Sequence, residues 1–329
     1  FSGDGHCLIP LGGHRHTGGS ECLVIAGGGA PTMGVHLAVL LWGLLLACAC
    51  TCCLAPRPFD TGKRTQQIQR LHRAFAKAAN VARTANPLDT RLAFVQIGAH
   101  HAIEGNAGTD VLWQAQRLLF RDLHRNHTPW SWLLVEPVPN NVAIIRQKLQ
   151  LQESAGALRG GSVAVEQAAV TAEPGHWEGN VTFYAISPEI DPVTGKHSSG
   201  WQFPRWVTEV GSFNRKHTWD HLWRAGRRSP LVLESLMDPV SVRALSLEAI
   251  MRRSGLATAQ VAVLILDTEG FDCKILRSVD FKAFAPPYIL FEHWHCSNPD
   301  RAGLTEHIKL HYNEKVFDGK NTALWRGDI

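Results

Sequence analysis

The sequence predicts an α/β protein whose parallel sheet is covered by helices on both faces. Two observations predict it. Short apolar runs, "LAFVQI" at 92–97, "WLLVEP" at 132–137 and "VAVLIL" at 261–266, alternate with segments of helical periodicity. Strands buried on both faces read this way. Each run then stops on glycine or acid: Gly98, Glu136, Asp267 with Glu269, and, after a further run at Tyr288–Phe291, Glu292 with His293. In a parallel sheet such residues stand at the carboxyl ends of the strands, where ligands bind. A carboxylate has little structural use in a buried sheet, because burying a charge without partners is costly.

The elements follow in order. Ile68, Leu71, Phe75, Ala78 and Ala82 form one stripe, so Arg64–Thr84 is an amphipathic helix, ended by Pro87. Leu92–Ile97 is the first strand, and Gly98 breaks it. Asp110–Leu123 has helical spacing, Trp132–Pro137 is the second strand and Pro139–Leu149 the next helix. Ser162–Val170 reads as a third strand. Residues 171–235 lack clear periodicity and carry Trp177, Trp201, Trp206, Trp219 and Trp223, which are expected to form a lid. Leu245–Gly255 is a helix stopped by glycine. Val261–Leu266 and Tyr288–Phe291 complete the strands.

Residues 1–34 are rich in glycine and are expected to be disordered or a translated leader, with Met33 as the true start. Residues 35–56 are apolar and long enough for a membrane anchor, and also carry a signal-like core followed by Ala47, Cys48 and Ala49. The segment predicts a secretory-pathway or membrane-associated protein, with the cytoplasm as the alternative. Arg57, Lys63 and Arg64 follow it, which favours an uncleaved anchor with a cytoplasmic body. Residues 57–90 read as a linker with the amphipathic helix, and 91–329 as the main domain. Hydrophobic residues make up 45% of the chain and net charge is +4, so the body is a folded globule without the strong basic stripe of a nucleic-acid binder. Of eight cysteines only Cys273 and Cys296 lie in the body, which is expected to be neither a disulfide framework nor a zinc module.

Three segments in order, "FVQIGAHH", "LLVEPVPNN" and "VLILDTEGFDCKIL" with "PPYILFEHWH", resemble the FkbM family of S-adenosylmethionine-dependent methyltransferases, and "GSFNRKH" at 211–217 resembles another segment of that branch. The resemblance covers roughly Leu92 to Glu292. It implies the class I, Rossmann-like fold with a mostly parallel seven-stranded sheet. It implies S-adenosylmethionine as cofactor, held by Gln96, Gly98, Ala99, Glu136 and Asp267, with Val165–Ala168 near the adenine. The sequence departs from the branch where Asn-Asp-Gly is usual: it has His100, His101 and Ala102.

The residue chemistry runs alongside. Gly98 lets backbone approach a ligand closely, and Glu136 can accept hydrogen bonds from both ribose hydroxyls. Asp267 and Glu269 are expected to hold the reacting groups, the competing expectation being that they cap a helix. His293 is expected to act as base for a hydroxyl, ahead of His295. The expected activity is O-methylation of a glycan, lipid or other small-molecule hydroxyl, with no metal and no nucleic-acid partner, and possible membrane association through 35–55. The alternative is a degenerate, non-catalytic binding protein on the same fold. A nicotinamide enzyme is disfavoured, because "GAHHAI" does not fit the glycine fingerprint of that class.

Overall fold

The computed structural model describes residues 61–85, 91–100, 111–173, 178–192, 194–226 and 228–326. The expected leader at 1–34 and the apolar segment at 35–56 lie outside the described residues. Among the described residues no helix is long and apolar enough to cross a membrane.

The compact unit Asp60–Ile329 is built on a seven-stranded sheet. Its strands are β1 (Leu92–Ile97), β2 (Trp130–Val135), β3 (Gly161–Glu166), β7 (Val261–Leu266), β8 (Tyr288–Glu292), β9 (Asn313–Val316) and β10 (Asn321–Trp325). The order is β3-β2-β1-β7-β8-β10-β9. All pairings are parallel except those of β10, which runs antiparallel to both neighbours. This is the mostly parallel class I arrangement that the sequence predicts.

Alternation along β1 supplies both cores. Leu92 and Phe94 face α1 (Thr61–Ala85), α2 (Val111–Arg125) and α3 (Pro139–Ser154), where they meet Leu71, Phe75, Leu119 and Ile145. Ala93, Val95 and Ile97 face α6 (Leu247–Ser254), α7 (Asp272–Ser278) and α8 (Asn298–Ile308), meeting Ile250, Ile275, Leu276 and Leu304. Helices thus cover both faces. Aromatic stacking fills the first core: Phe120 lies on Trp130 at 3.8 Å between centroids, and Trp113 on Trp132 at 5.4 Å. Because α1 buries Leu71, Phe75 and Ala78 there, it belongs to the domain rather than to a linker.

Three expectations are corrected. The strand expected at Ser162–Val170 is two strands in different sheets. β3 ends at Glu166, and β4 (Ala169–Thr171) joins β5 (Glu178–Ile186) and β6 (Met237–Ser246) in a small sheet of order β4-β6-β5. The segment read as lacking periodicity therefore holds β5, α4 (Arg215–Gly226) and α5 (Pro230–Ser235), with its own buried cluster around Phe203, Val207 and Leu222. The helix expected from Leu245 starts at Leu247, because β6 runs to Ser246, whose side chain then caps the helix by accepting from Ala249 N. Cys273 and Cys296 are joined by a disulfide, a single cross-link and not a framework.

Candidate functional site

Three strand ends meet at one point. Gly98 N and Ala99 N both donate to Val135 O at 3.0 Å, and Asp267 N donates to Ile97 O at 2.9 Å. These bonds draw the ends of β1, β2 and β7 together. Gly98 has φ +74°, and a Cβ built there would stand 1.7 Å from Asp267 O. Glycine is required by that approach as much as by the backbone angle.

Above this junction lies a cavity of about 330 Å³, a usual size for a small-molecule site. Its floor is Gly98, Glu136, Asp267 and Glu269, and Ala168 and Val170 supply an apolar side. The insertion between β4 and β6 supplies the opposite wall, including Phe183, Ile190, Glu209 and Phe213.

Glu136 is buried at the end of β2. Its Oε2 accepts from His100 N at 2.8 Å, and its Oε1 accepts from Val138 N at 3.1 Å and Asn141 Nδ2 at 3.0 Å. Burial raises its pKa, and the three donors partly offset that. His100 reaches Glu136 by adopting φ +41°, a left-handed conformation that histidine and asparagine take more readily than most residues. The rest of the departing loop, His101 and Ala102 included, lies outside the described residues.

Asp267 is exposed, and what it is exposed to is the cavity. Protein surrounds it otherwise. This distance from bulk water, followed by the charges of Glu292 and Glu269, pushes its carboxyl well above the usual range, although water in the open cavity screens part of the effect. The helix-cap reading of Asp267 and Glu269 does not hold. α7 begins only at Asp272, with Phe271 as its cap residue. Asp272 turns back to accept from Thr268 N at 3.2 Å and Thr268 Oγ1 at 2.8 Å. This closes the turn in which Glu269 sits at φ +51°.

Glu269 faces both the cavity and a histidine cluster. Its Oε2 is 2.9 Å from His217 Nε2 and 3.7 Å from His295 Nε2. His221 completes the group, its ring centroid 4.5 Å from that of His217 and 5.2 Å from that of His295. Glu292 Oε2 lies 3.9 Å from His295 Nε2. Burial, then Glu269 and Asp272, push the Glu292 pKa up to about 8.

Other expected site residues point elsewhere. His293 is buried against β10, with Nδ1 3.0 Å from Thr322 Oγ1, and does not line the cavity. Burial lowers its pKa, with Arg301 adding to the shift. The chain turns after β8, with Cys296 N donating to His293 O at 3.1 Å, and this turn leaves His293 against the sheet and His295 toward Glu269. Gln96 is buried on the α2 side of β1, where its Oε1 accepts from Gln116 Nε2 at 3.3 Å. The Ala99 side chain is packed in the first core. Of Val165–Ala168, Ala168 lines the cavity and Val165 packs against the first core. Trp201, Trp206, Trp219 and Trp223 are all outside the cavity lining: Trp219 stacks on Trp223 at 5.5 Å, and Trp201 on His197 at 4.9 Å. Trp177 lies outside the described residues. Sequence reasoning missed His221 and passed over His217. The available signal was their spacing of four on one helix, which puts both on one face.

None of the curated proteins compared matches the chain. Among solved structures, a crystal structure described as a class I S-adenosylmethionine-dependent methyltransferase from Listeria monocytogenes aligns with a TM-score of 0.27 at 8% identity. That alignment covers 77% of this chain and 60% of the other, so the chain spans about three-fifths of that protein's length. The FkbM methyltransferase domain matches residues 96–311. With more than half of its length inside that match, the chain belongs to the FkbM methyltransferase family.

Proposed function

We propose that this chain is an S-adenosylmethionine-dependent O-methyltransferase whose acceptor is a hydroxyl of a glycan, lipid or other small metabolite. The observation that carries the reading is the acidic cavity floor at the ends of β1, β2 and β7: Gly98, Glu136, Asp267 and Glu269 on one small-molecule-sized cavity. The residues fit such a cofactor. Glu136 Oε2 accepts one bond from the protein, and a carboxylate oxygen has a second lone pair for a ribose hydroxyl. Ala168 and Val170 offer an apolar surface for a base. The clustered carboxylates suit a ligand that carries positive charge at its sulfonium and ammonium groups.

When bound, the cofactor supplies an electrophilic methyl group. The protein's own part is alignment, proton removal and exclusion of water. Glu269 is the group set to take the acceptor's proton, since it faces the cavity and is backed by His217 at 2.9 Å. Asp267 bears on the same space from the strand end. The insertion carrying Phe183, Ile190 and Phe213 covers the cavity and limits water there. Trp206 and Trp223, on the same insertion, are each about two-fifths exposed, and exposed indole faces suit sugar rings.

We further infer that the body resides in an oxidising compartment. The Cys273–Cys296 disulfide supports this, because such bonds persist in secreted and lumenal proteins and are rare in the cytosol. That argues against the cytoplasmic body suggested by Arg57, Lys63 and Arg64.

The test of the activity is turnover. The chain, S-adenosylmethionine and a panel of hydroxylated glycans and lipids are incubated, and S-adenosylhomocysteine is measured. Turnover with at least one hydroxyl acceptor, lowered a hundredfold or more by Glu269→Gln, is the expected result. Cofactor binding with no turnover on any member of a broad panel would instead favour a binding protein on this fold.

A further inference from the structure

We infer that His217, His221, His295 and Glu269 form a binding site for one divalent transition-metal ion of the zinc class, at the edge of the cavity. The four side chains come from three separate parts of the chain. His217 and His221 share a face of α4, Glu269 sits in the turn after β7, and His295 follows β8. One ligand atom from each lies within 4.8 Å of every other. A tetrahedral ion with bonds of about 2.0–2.2 Å needs about 3.4 Å between ligand atoms, so movements of an ångström or less per side chain would close the set.

Several independent features point the same way. The donor set is three imidazoles and one carboxylate, which suits zinc and its neighbours rather than magnesium or calcium. Its members are shielded but reachable: the His217, Glu269 and His295 side chains are 15%, 18% and 16% exposed. The turn that aims Glu269 at the histidines holds a non-glycine residue at φ +51°, a conformation that costs energy and is kept where the surroundings demand it. The disulfide joins the first turn of α7, just after Glu269, to the residue after His295, so it braces two of the ligand-bearing segments against each other.

The surrounding charge also calls for a cation. Asp267, Glu269 and Glu292 have carboxylate oxygens within 4.8 Å of one another, and Glu292 Oε2 has no hydrogen-bond partner among the described residues. A dication at the histidines would offset this repulsion.

The role of the ion, as distinct from its binding, rests on the methyltransferase reading. Glu269 belongs both to the cluster and to the cavity lining, so an ion there would border the acceptor's space. A hydroxyl added to it as a fifth ligand would lose its proton more easily, as metal-bound water does, and the Glu269 carboxylate oxygen not held by the ion would accept that proton.

The test is direct metal binding by the untagged 329-residue chain, measured without S-adenosylmethionine. Titration with cobalt(II) is expected to give one equivalent with the visible absorption of a four-coordinate ion, displaced by zinc. Glu269→Gln combined with His221→Gln is expected to lose that band while keeping the parent's circular dichroism. X-ray absorption on the zinc-loaded parent needs no variant, and is expected to show nitrogen and oxygen ligands near 2.0 Å. Absence of a cobalt band in the parent, an unchanged band in the folded double variant, or a sulfur shell near 2.3 Å, which would put the ion on cysteines, each overturns the proposal. A chain that binds cobalt at this site but shows no methyl transfer would keep the site and reject the reading of its role.

Discussion

Gly98 and Asp267 are locked together at the ends of two adjacent strands: a methyl group on Gly98 would lie 1.7 Å from the Asp267 carbonyl oxygen. This contact fixes how closely β1 and β7 approach, and so where the acidic floor of the cavity lies. Gly98→Ala would also impose φ +74° on a residue with a side chain, which alone costs about 1–2 kcal/mol. The summed loss is expected to exceed about 3 kcal/mol, or to abolish folding. Denaturant unfolding measures it, and an alanine variant as stable as the parent contradicts this geometry.

Glu136 joins the end of β2 to the start of the departing loop through His100 N. Glu136→Gln keeps the shape but replaces one acceptor oxygen with a donor. Hydrogen bonds to a charged group are worth about 1.5–3 kcal/mol, so affinity for S-adenosylmethionine is expected to fall at least tenfold. Calorimetric titration of a variant that still melts cooperatively checks this. Unchanged affinity would make Glu136 an organiser of the loop only.

The Cys273–Cys296 bond closes a loop of 23 residues in sequence separation. On a chain-entropy basis its removal costs about 3 kcal/mol. Reductant, or Cys273→Ala with Cys296→Ala, is expected to lower the unfolding midpoint accordingly, as read by thermal denaturation. No change on reduction would show that the bond contributes nothing to stability.

Asp272 has its pKa raised to about 6, first by burial, with Thr268 opposing. A carboxyl raised in the folded state holds its proton more tightly there than in the unfolded chain. Its contribution to stability is therefore complete below about pH 4 and is lost as pH rises through 6. Asp272→Asn mimics the protonated form and accepts the same bonds from Thr268. Relative to the parent, the variant is expected to gain up to about 3 kcal/mol between pH 4 and pH 7. A difference independent of pH would mean that Asp272 titrates as an ordinary carboxyl.

The sheet's interior strands were legible in the sequence because burial on both faces writes a continuous apolar run, and Val261–Leu266 is bounded as the sequence suggests. The margins were less so. β3 is largely open to solvent and was read as a strand, but one running on to Val170; the edge strand β9 and its neighbour β10 are short and partly polar, "NEKV" and "NTALW", and do not carry that signature. Glu136, Asp267 and Glu269 were legible as strand-end acids facing one cavity. His293 was misjudged because nearness to a strand end says nothing about which way a side chain turns. His293 turns to Thr322 and His295 to Glu269. The histidine cluster was hidden because its members are 78 residues apart at the extremes, His217 to His295, and only the fold brings them together.

The central claim is that the cavity floored by Gly98, Glu136 and Asp267 accepts S-adenosylmethionine. Isothermal titration of the folded chain with that cofactor tests it most directly. The account predicts one binding event per chain, with affinity reduced at least tenfold in Asp267→Asn, a change that keeps the side chain's shape. A folded parent that gives no binding heat and no thermal shift at millimolar cofactor would contradict it.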